Sequence, residues 1–134
     1  MKTIYSPKNN PRVIIIQMLY GKYFNKDQNL KFPKHRFKKY IKDIVNGTIE
    51  RDEIILEEIL KYLKNDLNLK KTDKIFIIIV KSAIYEFLYK PNIPSKIIIK
   101  EYLDASNFFI EISMTKYLNA LLQKIAKKIR SDNE

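Results

Sequence analysis

The sequence predicts an all-α protein, a compact bundle of six to seven helices, and three observations carry that expectation. Apolar residues recur at helical spacing through most of the chain. Pro and Gly residues stand at or near the ends of the periodic segments. The one β-branched run, Ile75 to Val80, continues as a helical pattern through Ala83, Ile84, Phe87 and Leu88, which is too long for a strand. With 134 residues the chain reads as a single domain over 1–134. A chain of this size buries roughly two thirds of its unfolded surface, enough for a core without disulfides or metals.

Taken in order, the first helix carries Val13 to Phe24, with Pro11 near its start and Gly21 near its end. Residues 1–11 before it read as a flexible basic arm, and Asn25 to Pro33 after it as a loop. A second and a third helix are expected over Lys34–Gly47 and Arg51–Asp66, with Gly47 as a C-cap between them. The fourth opens at Thr72 and Asp73 and runs to about Lys90, stopped by Pro91 and Pro94. Its apolar residues surround nearly the whole circumference, so it belongs at the centre of the bundle. The fifth begins at Pro94 and runs through Ile98, Ile99, Tyr102 and Leu103 to about Phe108. In the last, Met114, Tyr117, Leu118, Leu121, Leu122, Ile125 and Ile129 form an apolar face opposite Lys116, Asn119, Lys124, Lys127 and Lys128. Lys127, Lys128 and Arg130 suit the negative end of that helix's dipole.

Composition removes several classes of chemistry. Gly occurs only at 21 and 47, so no glycine-rich phosphate loop can be written. No Cys and a single His, His35, exclude ordinary zinc sites and Cys nucleophiles, and nothing calls for an oxidising compartment. Glu57 and Glu58 point to different parts of a helix surface, while Glu50, Asp52 and Glu53 sit on a solvated helix start. No acid–base pair emerges, so no catalytic residue, no cofactor and no metal are expected, and the chain reads as a non-enzyme. The N-terminus has no apolar leader and no run approaches the roughly 18 residues of a membrane span, so a cytoplasmic protein is expected.

Charge is unevenly placed. Lys and Arg number 26 against 15 Asp and Glu, a net +11. Residues 1–40 contain Lys2, Lys8, Arg12, Lys22, Lys26, Lys31, Lys34, Arg36, Lys38 and Lys39 against the single acid Asp27, so +9 of the excess lies there. A field of that sign attracts polyanions, and neutralising phosphates releases counterions. A Lys-rich composition explains the same numbers.

Two acids stand in apolar company. Glu86 lies in the fourth helix and Glu101 among Ile97, Ile98, Ile99, Tyr102 and Leu103. A carboxylate there must be hydrogen-bonded or paired, either as an internal tether or as a contact to a partner. Rings and cations also interleave. Arg12, Ile16 and Tyr20 share one helix face beside Gln17, and Phe108 and Phe109 precede a helix start with Lys116 and Tyr117. Single-stranded RNA is held by such pairs, bases on rings and phosphates on cations, and core packing accounts for the same spacing.

With Tyr85-Glu86-Phe87, Ile93-Pro94, Ile99-Lys100-Glu101 and Lys116–Gln123 following one another, the stretch Thr72 to Gln123 resembles the transcription antitermination factor NusB family. An apolar helix ends in a Tyr-Glu-Leu-like step, here Tyr85-Glu86-Phe87, and leads to Ile93-Pro94 and then to Ile99-Lys100-Glu101. The family's Lys-Phe-Val-Asn-Gly-Val-Leu-Asp element corresponds to Lys116–Gln123, and its Gln-Ala-Leu-Tyr element to Gln17-Met18-Leu19-Tyr20 after Arg12. Tyr117 stands where the family has Phe, Ala120 where it has Gly, and the N-terminal Arg run is reduced to Arg12 with Lys2 and Lys8.

The resemblance implies two packed three-helix halves and a non-enzymatic adaptor. NusB-like proteins bind boxA-type single-stranded RNA together with NusE, a small-subunit ribosomal protein, in the transcription complex of ribosomal RNA operons. Carried over by residue, Lys2, Lys8, Arg12, Gln17, Tyr20, Phe109, Lys116 and Tyr117 form the RNA surface, and Glu86 and Glu101 lie towards the protein partner. A homodimer without that partner is compatible with the resemblance. The reduced Arg content motivates a second reading, a protein interaction module with weak RNA affinity, similar to the NusB-like domain that precedes a methyltransferase domain in some RNA-modifying enzymes.

Overall fold

The computed structural model describes residues 9–27 and 29–130, which form six α-helices and no strand: α1 (Pro11–Phe24), α2 (Lys38–Glu50), α3 (Asp52–Tyr62), α4 (Lys74–Tyr89), α5 (Ser95–Ser106) and α6 (Thr115–Ile129). A short 3₁₀ turn, Ile112–Met114, leads into α6. The basic arm expected over residues 1–11 lies outside the described residues up to position 8.

The fourth helix is central, as its all-round apolar pattern requires. Ile75 to Val80 and Ser82 to Phe87 are all buried, and α4 packs against each of the other five helices. α1 and α2 pack on one another and on α4, α5 and α6 do the same, and α3 closes the bundle against α4 and α6. The halves α1–α3 and α4–α6 thus share one core, with α4 as the inner helix. α1 runs antiparallel to α4. Arg12 in its first turn meets Glu86 near the end of α4, and Tyr23 in its last turn meets Lys74 at the start of α4.

Four local expectations are corrected. The second helix begins at Lys38 rather than Lys34 because residues 35–37 fold as a turn. Within it the Phe37 N–H donates to His35 Nδ1 at 3.0 Å, and the Lys38 N–H to the His35 carbonyl at 3.1 Å. Gly47 is not a C-cap. It lies inside α2 with a negative φ, and its missing Cβ is the space occupied by the Tyr85 ring of α4. The third helix stops at Tyr62, and Leu63 to Leu67 form a turn around the Leu63 carbonyl, which accepts from the N–H groups of Asp66 and Leu67 at 3.0 and 2.9 Å. The fifth helix ends at Ser106, two residues short of Phe108.

Arg130 also has a different task from the one its position at the end of α6 suggests. Its guanidinium reaches across to the end of α4 and donates to the carbonyls of Phe87 at 2.9 Å, Glu86 at 3.1 Å and Lys90 at 2.8 Å, with a further bond to the Ile93 carbonyl. The Glu86 and Lys90 carbonyls also accept from the N–H groups of Lys90 and Ile93, whereas the i+4 residue of Phe87 is Pro91 and has no N–H, so one side chain supplies that missing donor and ties the end of the central helix to the turn into α5.

Candidate nucleic-acid interface

The first expected RNA residue, Arg12, is turned inward. Asn10 caps α1 by accepting from the N–H groups of Arg12 and Val13 at 3.0 and 3.3 Å, which orients the first turn against α4. From there Arg12 meets Glu86 side by side, Nε to Oε2 at 3.1 Å and Nη2 to Oε1 at 2.7 Å. The hydroxyls of Tyr40 on α2 and Tyr102 on α5 both donate to the same carboxylate, and Arg12 Nη2 donates to Tyr40 at 2.7 Å. Both rings also lie 5.4 Å from the guanidinium carbon. One network therefore joins α1, α2, α4 and α5.

Its electrostatics follow from burial. Desolvation works against the charge on Arg12, and the adjacent carboxylate more than offsets it, so the guanidinium stays cationic. Burial, then the charge of Glu86, pushes the hydroxyls of Tyr40 and Tyr102 well above the ordinary tyrosine range. Both stay protonated as donors.

This geometry corrects two expected roles. Glu86 has no exposed surface and is the internal tether, not a partner contact. The Arg12 guanidinium is committed to that carboxylate and does not face solvent as a phosphate contact. The physical reason is the same for both: a carboxylate inside an apolar helix requires a cation and donors, and α1 supplies the cation.

The other expected residues fall into separate groups. Gln17 is exposed on α1, and Tyr20 is half-buried with its ring edge-on to Phe24 at 4.8 Å. Glu101, half-buried on α5, lines the same open groove as Gln17. At the other end of the bundle Tyr117 lies flat on Phe76, 5.3 Å between centroids and 14° between planes, and its hydroxyl donates to the Asp66 carbonyl. Burial and then Asp66 raise the pKa of that hydroxyl. Lys116 is exposed next to it, and Phe109 is half-buried against the core. Phe76 and Glu86 sit near opposite ends of α4, about 15 Å apart at the helical rise. The Lys116–Tyr117 group and the Gln17–Glu101 group are therefore not one patch. Lys2 and Lys8 lie outside the described residues.

A feature the sequence reading passed over is the turn before α2. Phe37 is 43% exposed, forms part of the lining of two open grooves, and stands among Lys34, Arg36, Lys39 and Lys42. The run KHRFKK was visible as charge, and its ring was the available signal. Among the described residues no group of His, Asp or Glu could hold a metal ion, and no helix is long and apolar enough to cross a membrane.

Comparison with known proteins agrees with this architecture. The family model described as the NusB family matches residues 9–127. The chain is similar to the transcription antitermination protein NusB of Rhodopseudomonas palustris strain BisB5, 30% identical over 94 residues that cover 69% of this chain and 53% of that protein. A similar match, 27% identical over 69% of this chain and 56% of the other, is the NusB of Bradyrhizobium diazoefficiens. The matched segment thus spans about half the length of these curated relatives. The solved structure of T. maritima NusB superposes with a TM-score of 0.76 at 21% identity, covering 93% of this chain and 94% of that one, a likeness of fold.

Proposed function

The chain belongs to the NusB family of transcription antitermination proteins, and from that premise we propose that it is a non-enzymatic adaptor that binds boxA-type single-stranded RNA together with the ribosomal protein NusE. It then acts in the cytoplasm, within the transcription complex that reads through ribosomal RNA operons.

The observation that carries this reading is the start of α6. Tyr117 is held in one orientation by Phe76 beneath it and by the hydroxyl bond to Asp66, and the exposed cation Lys116 stands beside it. A ring fixed before binding loses little conformational freedom when a base stacks on it, and a neighbouring Lys supplies a phosphate contact. Phe109 and Gln17 extend the expected surface at a distance.

The test is a titration of boxA-type RNA in the presence of NusE. Lys116→Gln is expected to weaken binding and to lower the salt slope by about 0.7, the value of one single-strand phosphate contact. Tyr117→Ala is expected to cost about 1–3 kcal/mol of binding. Wild-type affinity in both variants would overturn the site. One observation favours the second reading, a protein interaction module with weak RNA affinity: Arg12 faces inward, which removes a cation from the expected surface. Tight RNA binding by the isolated chain at physiological salt argues against that reading.

A further inference from the structure

We propose that the turn before α2 is a second contact surface for single-stranded RNA, in which Phe37 takes a base and Arg36, Lys39 and Lys42 take phosphates. The inference rests on the RNA-binding reading above and adds a surface to it, at the opposite end of α4 from Tyr117.

Phe37 is the anchor. A Phe that packed into the core would be removed from water, yet this one keeps 43% of its surface exposed because the turn at His35 points it outward. The Arg36 guanidinium lies 5.0 Å from the ring centroid and the His35 ring 5.7 Å from it, tilted by 38°, and part of the Phe37 surface stays open to solvent. A partly exposed aromatic ring beside a cation offers a nucleobase a stacking surface and its phosphate a charge.

Of the cations around it, Arg36 lies against the Phe37 ring and Lys42 over the Phe32 ring at 5.9 Å, contacts that do not neutralise their charge. Among the described residues Lys34, Arg36, Lys39 and Lys42 stand in no ion pair, and all four are exposed. Lys39 and Lys42 are three apart on α2, so they share a face. Phe37 lines two grooves and forms the ridge between them, with Lys34 and Arg36 on the α1 side and Arg36, Lys39 and Lys42 on the other. The acids nearby do not cancel this charge. Asp43 is paired with Lys90, Glu50 stands at the far end of α2, and Glu101 lies on the opposite wall of the first groove. A partly exposed ring flanked by cations outside any ion pair complements a flexible polyanion with stacking bases, which is single-stranded RNA rather than an apolar protein segment.

The experiment uses the full chain, with and without NusE, and a labelled single-stranded RNA carrying a boxA-type segment, followed by fluorescence anisotropy over a series of salt concentrations. Phe37→Ala is expected to weaken binding about tenfold, in the range of a lost base stack. The double change Lys39→Gln with Lys42→Gln, at exposed positions that leave the core untouched, is expected to lower the salt slope by about 1.4. Ultraviolet crosslinking is expected to recover RNA on the peptide that contains Phe37. If both variants bind as the wild type while Lys116→Gln binds more weakly, the second surface is overturned and the RNA reading stands. If the wild type binds no RNA with or without NusE, both fall. If Phe37→Ala loses NusE binding with RNA affinity unchanged, the turn is a protein contact and the inference is overturned.

Discussion

Glu86 is the residue on which the architecture turns. An acid inside the most apolar helix of the chain announced that it needed partners, and that much was legible in the sequence. The identity of the partner was not, because Arg12 lies 74 residues away and its place in the family pattern suggested a phosphate contact. Removing the cation leaves a buried carboxylate without compensation. Arg12→Met is therefore expected to destabilise the fold by about 3–5 kcal/mol in chemical denaturation, with Glu86→Gln in the same background recovering part of the loss. The two tyrosines make a second prediction. Their pKa values are raised above the ordinary 10.0 in the folded chain, so the unfolded chain releases those protons first as pH rises. Their contribution to stability is then fully present below pH 10 and declines above it. Denaturation midpoints measured across that range are expected to fall more steeply in the wild type than in Tyr40→Phe.

At the scale of elements, the helices were legible because each has its own period, and their ends were not because tertiary contacts set them. Gly47 shows the difference. Sequence alone reads it as a helix stop, whereas in the fold it is the place where the Tyr85 ring presses on α2. Gly→Ala inside a helix ordinarily stabilises by about 1 kcal/mol. Here Gly47→Ala is expected to destabilise by about 1–3 kcal/mol through overpacking, and to turn stabilising in a Tyr85→Ala background, a sign change that a double-mutant cycle reads directly. Arg130 shows the same, since the dipole of its own helix explained its position without revealing the carbonyls at the end of α4 and in the turn after it that it binds. Arg130→Ala is expected to cost about 1–3 kcal/mol, chiefly by removing the donor to the Phe87 carbonyl, whose i+4 residue is Pro91 and has no N–H.

At the scale of the whole molecule, the charge excess in residues 1–40 resolves into distinct parts. Arg12 holds the core together, Lys2 and Lys8 lie outside the described residues, and the exposed cations Lys34, Arg36, Lys38 and Lys39 gather around the turn at Phe37. The ring and cation pairs read from spacing likewise divide, with Tyr117 and Lys116 at one end of α4 and Gln17 and Glu101 at the other. What the sequence could not reveal is this separation, because distance along a central helix is a property of packing. The proposed function requires the chain and NusE to form one joint surface for RNA. A titration of boxA-type RNA with the chain alone, with NusE alone and with both tests it most directly. The pair is expected to bind more tightly than either protein, with an affinity that falls steeply with salt. RNA affinity of the pair no greater than that of NusE alone would contradict it.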